Sequence, residues 1–173
     1  MKWLLIAGIL AAPGFAAAEV IASSDIGFEI KRTVEVKAPP AQVRAATLDI
    51  GRWWSSEHSF SGQASNMSID AAGCFCEKLP DGIVRHMQVV YSAPDALRMF
   101  GALGPLQTEG AAGHLSLEFG KAPDPARTSL TLRYVVGGYA RGGLAKTWAA
   151  PVDTVLGEQL VRLKRLAETG RAD

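Results

Sequence analysis

Two cysteines, Cys74 and Cys76, and one histidine, His86, lie close together on either side of the turn Leu79-Pro80-Asp81-Gly82-Ile83. Proline fixes φ at the first turn position, aspartate suits the second, and glycine accepts a left-handed third, which predicts a three-residue hairpin loop. That register sets Leu79 against Ile83, Glu77 against Arg85, Cys76 against His86 and Phe75 against Met87. One face then carries Cys74, Cys76, His86 and Gln88, and the other carries Phe75, Glu77, Arg85, Met87 and Val89. With the first face inward, thiol, imidazole and amide groups converge on a bound molecule, and His86 can hydrogen-bond it or carry a proton. With the second inward, Phe75, Met87 and Val89 are core, Glu77 and Arg85 form a rim ion pair, and His86 is solvated. A one-residue shift to a two-residue turn places Glu77 opposite His86 as an acid–base pair.

Residues two apart on a strand share a side but sit near the upper limit of Cα separation that a disulfide accepts. The leading expectation is therefore two buried thiols acting as small hydrophobes. A reducible bridge needs a local kink, which Gly73 can supply, and a metal or redox role is the third reading. The histidines are His58, His86 and His114, enough in number for a catalytic zinc. Parity opposes that site, because His114 alternates with Leu115, Leu117 and Phe119 and so falls on the polar side of its strand. No metal and no cofactor is expected.

The common catalytic strings are missing: there is no Gly-x-Ser-x-Gly, His-Glu-x-x-His, phosphate loop or Gly-x-Gly-x-x-Gly turn. Eighteen basic residues against seventeen acids leave a net charge of +1, with no basic block, so nucleic acid is not an expected partner. A chain of 173 residues, 48% apolar, suits a single core. Its first eighteen residues read as a signal peptide: Lys2, an apolar run from Trp3 to Ala12, the break Pro13-Gly14, and the small residues Ala16-Ala17-Ala18. Ten apolar residues are too few to span a bilayer, so the expectation is a periplasmic or secreted domain over 19–173 with no integral membrane segment.

The elements that must position these side chains follow from periodicity. Phe28, Ile30, Arg32, Val34 and Val36 alternate with polar residues, predicting a half-buried strand that ends at Ala38-Pro39-Pro40. The prolines open a short helix with Val43, Ala46, Thr47 and Ile50 on one side. Antiparallel strands are predicted over 66–71, 73–79, 83–92, 96–102, 114–119 and 129–136, separated by proline, glycine and aspartate turns. The segment 137–143 is glycine-rich and reads as a flexible hinge able to gate a cavity mouth. A closing amphipathic helix carries Val152, Val155, Leu156, Leu160, Leu163 and Ala167 on one stripe. Asp153 near its start and Arg162, Lys164 and Arg165 near its end complement its dipole.

This order predicts an α+β helix-grip architecture, a curved antiparallel β-sheet wrapped around a long C-terminal helix. The chain resembles the START-like superfamily, also called SRPBCC or Bet v 1-like, and within it the branch similar to Hsp90-ATPase activators and polyketide cyclases. Thr33-Val34-Glu35-Val36-Lys37-Ala38-Pro39-Pro40 with Trp53-Trp54, the stretches Gly73-Cys74-Phe75 and Val89-Val90-Tyr91-Ser92-Ala93-Pro94, and the closing helix carry the resemblance. A partner of cytosolic Hsp90 has no use for an export signal, so a co-chaperone role is not expected.

The resemblance implies a cavity between sheet and helix that opens near His58, which follows the tryptophan pair on a polar loop. Trp54 at its mouth offers large contact area at small entropic cost, while one tryptophan of the pair packs as core; Trp148 and Tyr139 flank the hinge within reach of a guest. The expected ligand-binding residues are thus Trp54, His58, Cys74, Cys76, His86 and Gln88. The partner expected is a small hydrophobic molecule such as a lipid or aromatic metabolite. A cyclase or dehydratase using a pocket histidine, and an interaction module with no cavity, are the alternatives.

Overall fold

Alternation of apolar and polar side chains takes the chain into strand where expected: β2 (Gly27–Val36) turns Phe28, Ile30 and Val36 into the core. The computed structural model describes residues 19–173, and the signal segment expected at 1–18 lies outside them. A strand not among those predicted, β1 (Glu19–Ser24), precedes β2 and pairs with it antiparallel. Pro40 at the first position of α1 (Pro40–Leu48) places its missing N–H where a helix has no acceptor for one.

The remaining strands are β3 (Met67–Ile69), β4 (Cys74–Leu79), β5 (Gly82–Ser92), β6 (Ala96–Gly101), β7 (Gly110–Lys121) and β8 (Thr128–Tyr139), followed by α2 (Leu144–Thr169). They form one antiparallel eight-stranded sheet in the order β1-β2-β8-β7-β6-β5-β4-β3, whose apolar side packs on α2 through Leu156, Leu160 and Leu163. This is the helix-grip α+β arrangement expected from the order of elements.

The glycine-rich segment is not a hinge. Gly137 and Gly138 are strand residues of β8, paired with Ala112 and Ala111 of β7. Gly138 has φ of +135°, and an added Cβ there would meet backbone of Gly110 and Ala111 inside van der Waals distance. These glycines allow two strands to approach closely. Only the turn just before α2 remains as a connection.

Helix α2 starts at Leu144, well before Val152, the first residue of the expected stripe, and runs through Pro151. Burial of Leu144 and Ala149 on the sheet side holds those first turns despite the hydrogen bond that Pro151 cannot donate. Asp153 is therefore mid-helix and does not cap a dipole. It is buried against Arg32 of β2, whose Nε donates to Asp153 Oδ1 at 2.9 Å and whose Nη2 donates to the Asp153 carbonyl at 3.1 Å. The adjacent helical position is Gly157, where a Cβ would lie 2.6 Å from the Arg32 guanidinium carbon. A helix-weakening residue is kept there because the cation crosses the helix surface at that point.

The interior is uneven along α2. Around Leu160 and Leu163 the space between helix and sheet is filled by Trp53, Phe75, Leu117 and Leu132, leaving a gap of only about 10 Å³. Beneath the earlier turns of α2 a cavity of about 310 Å³ opens. The hollow thus lies at one end of the molecule.

Candidate functional site

The floor of this cavity is set by an irregularity in the hairpin of β4 and β5. Leu79 pairs with Gly82 across a two-residue turn, shorter than the three-residue loop expected, so that Glu77 pairs with Val84 and Cys76 with Arg85. Farther along, Phe75 pairs with Met87 and Cys74 with Gln88, as the longer loop would give. The difference is absorbed by His86, the extra residue of a β-bulge, which leaves both His86 and Met87 buried on the same side. Phe75, Glu77, His86 and Met87 therefore face inward. Cys74, Cys76, Arg85 and Gln88 lie on the opposite side, where Arg85 and Gln88 are exposed, Cys74 is half-buried and Cys76, paired with Ser68 of β3 and Arg85 of β5, is buried.

Three residues expected at the site, Trp54, His58 and His86, line the cavity. Cys74, Cys76 and Gln88 do not, since the bulge exchanged the sides of Arg85 and His86 while leaving those three outside. The cysteines are joined in a disulfide with a Cα separation of 5.5 Å, where separate thiols had been the leading expectation. The kinked hairpin draws them closer than two residues of flat strand, which span about 6.6 Å. Trp148 lines the cavity, whereas Tyr139 stands exposed away from it. His114 is exposed and stacks on Phe100 at 4.8 Å, consistent with its parity. Among the described residues no cluster of His, Cys, Asp or Glu is arranged to hold a metal ion.

Glu77 organises the floor. Its carboxylate, fully buried, accepts from the backbone N–H of Phe60 at 3.2 Å and of Ser61 at 2.5 Å, and lies 3.0 Å from His86 Nε2. Burial pushes the Glu77 carboxyl up, but the hydrogen bonds from Ser61, His86 and Phe60 outweigh it and hold the group below its ordinary value. An ionised carboxylate only accepts, so His86 Nε2 carries the proton between them. Burial pushes the His86 imidazole below its ordinary range, a shift that the neighbouring carboxylate partly offsets. Neutral His86 thus presents an unprotonated Nδ1, which is buried and has no partner among the described residues.

The same carboxylate ties down the loop that roofs the cavity. Trp54 Nε1 donates to the His58 carbonyl at 2.8 Å, and Gln159 Oε1 of α2 accepts from Ser55 N at 2.8 Å. Phe60, 55% exposed, stacks over the His86 ring at 5.8 Å between centroids, and Phe75 flanks that ring at 4.7 Å. Leu103, Pro105, Val152, Val155 and Leu156 supply the apolar wall, and Trp148, anchored by Nε1 to Glu109 Oε1 at 3.1 Å, closes one side. At the rim His58 Nε2 lies 3.2 Å from Glu158 Oε2. Glu57 is the one lining residue with a formal charge among those described.

Sequence reasoning placed Glu77 either on a rim or against His86, and only the bulge decides for the buried pair. It missed Phe60, Leu103 and Pro105, which sit in polar or turn-like stretches. Their signal, single apolar residues among turn formers, does not distinguish a cavity wall from a chance surface position.

No protein-family model and no curated protein matches the chain in sequence. Solved structures do match in shape. A conserved protein of unknown function from Enterococcus faecalis superposes with a TM-score of 0.56 at 14% identity, covering 90% of this chain and 78% of that one. The chain shares with it the helix-grip α+β fold. The di-domain ARO/CYC protein StfQ from the steffimycin biosynthetic pathway shares this fold with a TM-score of 0.54 at 13% identity over 83% of this chain. The match covers 50% of StfQ, so the chain spans about half of that protein's length. CalU16 from Micromonospora echinospora gives a TM-score of 0.51 at 14% identity, covering 81% of this chain and 74% of that chain. At these identities the likeness is one of fold.

Proposed function

We propose that this START-like domain is exported and binds a small hydrophobic molecule, a lipid or aromatic metabolite, in the cavity under the first turns of α2. The observation that carries the reading is a hollow of about 310 Å³ walled by Trp54, Phe60, Leu103, Trp148, Val155 and Leu156. That volume is at the lower end for small-molecule pockets, about 300–1,000 Å³. Covering apolar ligand surface there is favourable by about 25 cal/mol per Å² without any catalyst. The chain-start pattern of Lys2, an apolar run and small residues supports export, and the fold shared with the ARO/CYC protein StfQ supports a small-molecule guest.

The test is native mass spectrometry of protein taken from its own host, followed by a lipid and metabolite extract screen. A retained small molecule that is lost in the cavity-filling variant Val155→Trp is expected; an empty protein that retains nothing from the extract would sink the reading. N-terminal sequencing of the exported form is expected to begin at Glu19.

A second reading, a cyclase or dehydratase, is favoured by one observation: His86 lines the cavity with its Nε2–H fixed by a buried carboxylate. Such a pair holds one tautomer and leaves the other nitrogen to move a proton. It predicts that His86→Ala abolishes turnover of a bound substrate while leaving binding within a few-fold, and unchanged turnover removes His86 from the chemistry. The cavity volume speaks against the third expectation, a packed interaction module.

A further inference from the structure

The outward side of the β4 and β5 hairpin carries a second group of chemically competent residues with no part in the cavity. Cys74 and Cys76 are bridged there, and Phe75 between them points to the opposite side, into the core. A bridge enclosing one intervening residue removes little chain entropy, and β4 is already paired on both sides, to β3 and to β5. Holding the fold together is therefore a poor account of it. We propose that the Cys74–Cys76 bridge is a thiol–disulfide exchange site that accepts two electrons from a substrate carrying two thiols.

Accessibility and charge give the exchange a direction. Cys74 is partly exposed, whereas Cys76 is 6% exposed, so an incoming thiolate meets Cys74 Sγ. The cross-strand partner of Cys76 is Arg85, and the next residue on its side of β4 is Lys78. Both are exposed, and neither is in an ion pair among the described residues. On the other flank Cys76 pairs with the neutral Ser68 of β3. Two acids belong to the surroundings: Asp81 is exposed in the hairpin turn, and Asp70 sits at the Cys74 end, where its N–H donates to the Cys74 carbonyl at 3.0 Å and its Oδ1 accepts from Ala72 N. Glu77 faces the other way and is engaged with Phe60, Ser61 and His86. Positive charge thus flanks the sulfur that must leave, and cations beside a thiol favour its thiolate and speed its departure.

In the first step a substrate thiolate bonds to Cys74 Sγ, the Cys74–Cys76 bond breaks, and its electron pair passes to Cys76 as thiolate. In the second, the other substrate thiolate attacks its own sulfur in the mixed disulfide and expels Cys74 thiolate. The substrate leaves as a disulfide, oxidised by two electrons and lighter by two protons, and the protein is left with two reduced cysteines.

The test mixes the oxidised full chain with dithiothreitol at pH 7, quenches with acid, alkylates, and counts modified cysteines by mass. Complete reduction without unfolding is expected, slowed about tenfold in the double variant Lys78→Gln, Arg85→Gln. Should that variant fail to fold, raised ionic strength on the unaltered protein is expected to slow reduction through screening of the same charges. With glutathione as probe, trapped adducts are expected on Cys74. A bridge that resists excess dithiol in the folded protein, adducts on Cys76, or a rate indifferent both to the charge substitutions and to salt would each overturn the proposal.

Discussion

Glu77 does two jobs through one carboxylate: it fixes the tautomer of His86 and pins the backbone of the loop carrying Phe60 and Ser61. Replacing it with alanine leaves the buried Nε2–H of His86 and the part-buried N–H groups of Phe60 and Ser61 without this acceptor. The expected cost is roughly 3–5 kcal/mol, measured by urea denaturation, with weaker probe binding because the Phe60 roof is released. Both members of the pair also make the fold acid-sensitive in the same sense. His86 is held below its ordinary 6.5, so the unfolded chain takes up its proton first and stability begins to fall as pH drops below about 6.5. Glu77 is held below its ordinary 4.5, so its contribution is present above that value and is lost as pH falls further, through its folded pKa. Denaturation midpoints between pH 8 and pH 3 are expected to show both falls, and His86→Phe to remove the upper one; a flat profile over that range would contradict the assignment. From sequence alone, Glu77 stood open between a rim ion pair with Arg85 and a pair with His86. Only the strand offset makes it the buried one.

At the scale of elements, periodicity together with the turn residues at their ends was enough to place β2, the strands from β3 to β8 and the second half of α2. It failed where regularity fails. Pro151 hid the first turns of α2, and the Pro80-Asp81 turn concealed both the tight loop and the compensating bulge. The cavity contacts of Trp54, His58 and His86 were legible as candidates, while the sidedness of the cysteines depended on one inserted residue. Gly157 offers a sharp check on how α2 is seated. By intrinsic propensity, Gly157→Ala should stabilise the helix by about 1 kcal/mol. The methyl group would instead collide with the Arg32 guanidinium and part it from buried Asp153. A net loss of about 2 kcal/mol is expected, read from thermal or urea melts, and a gain would show that the Arg32–Asp153 contact is dispensable.

For the molecule as a whole, the decisive property is a core packed tight under the later turns of α2 and hollow under the earlier ones. A guest that binds only the folded form stabilises it by about 2.7 kcal/mol at a free concentration one hundred times its Kd. For a domain of this size that corresponds to a rise of about 5–10 °C in Tm. The same uneven packing sets two separate clocks. On the proposed reading a guest leaves past Phe60 at the open end, whereas unfolding requires the well-filled end to come apart. Leu163→Ala, at that far end, is therefore expected to hasten unfolding many-fold yet leave the guest's dissociation rate in stopped-flow unaltered. If the two rates rose together, release would be an episode of global melting, and the protein would be able to surrender its cargo only by ceasing to be folded.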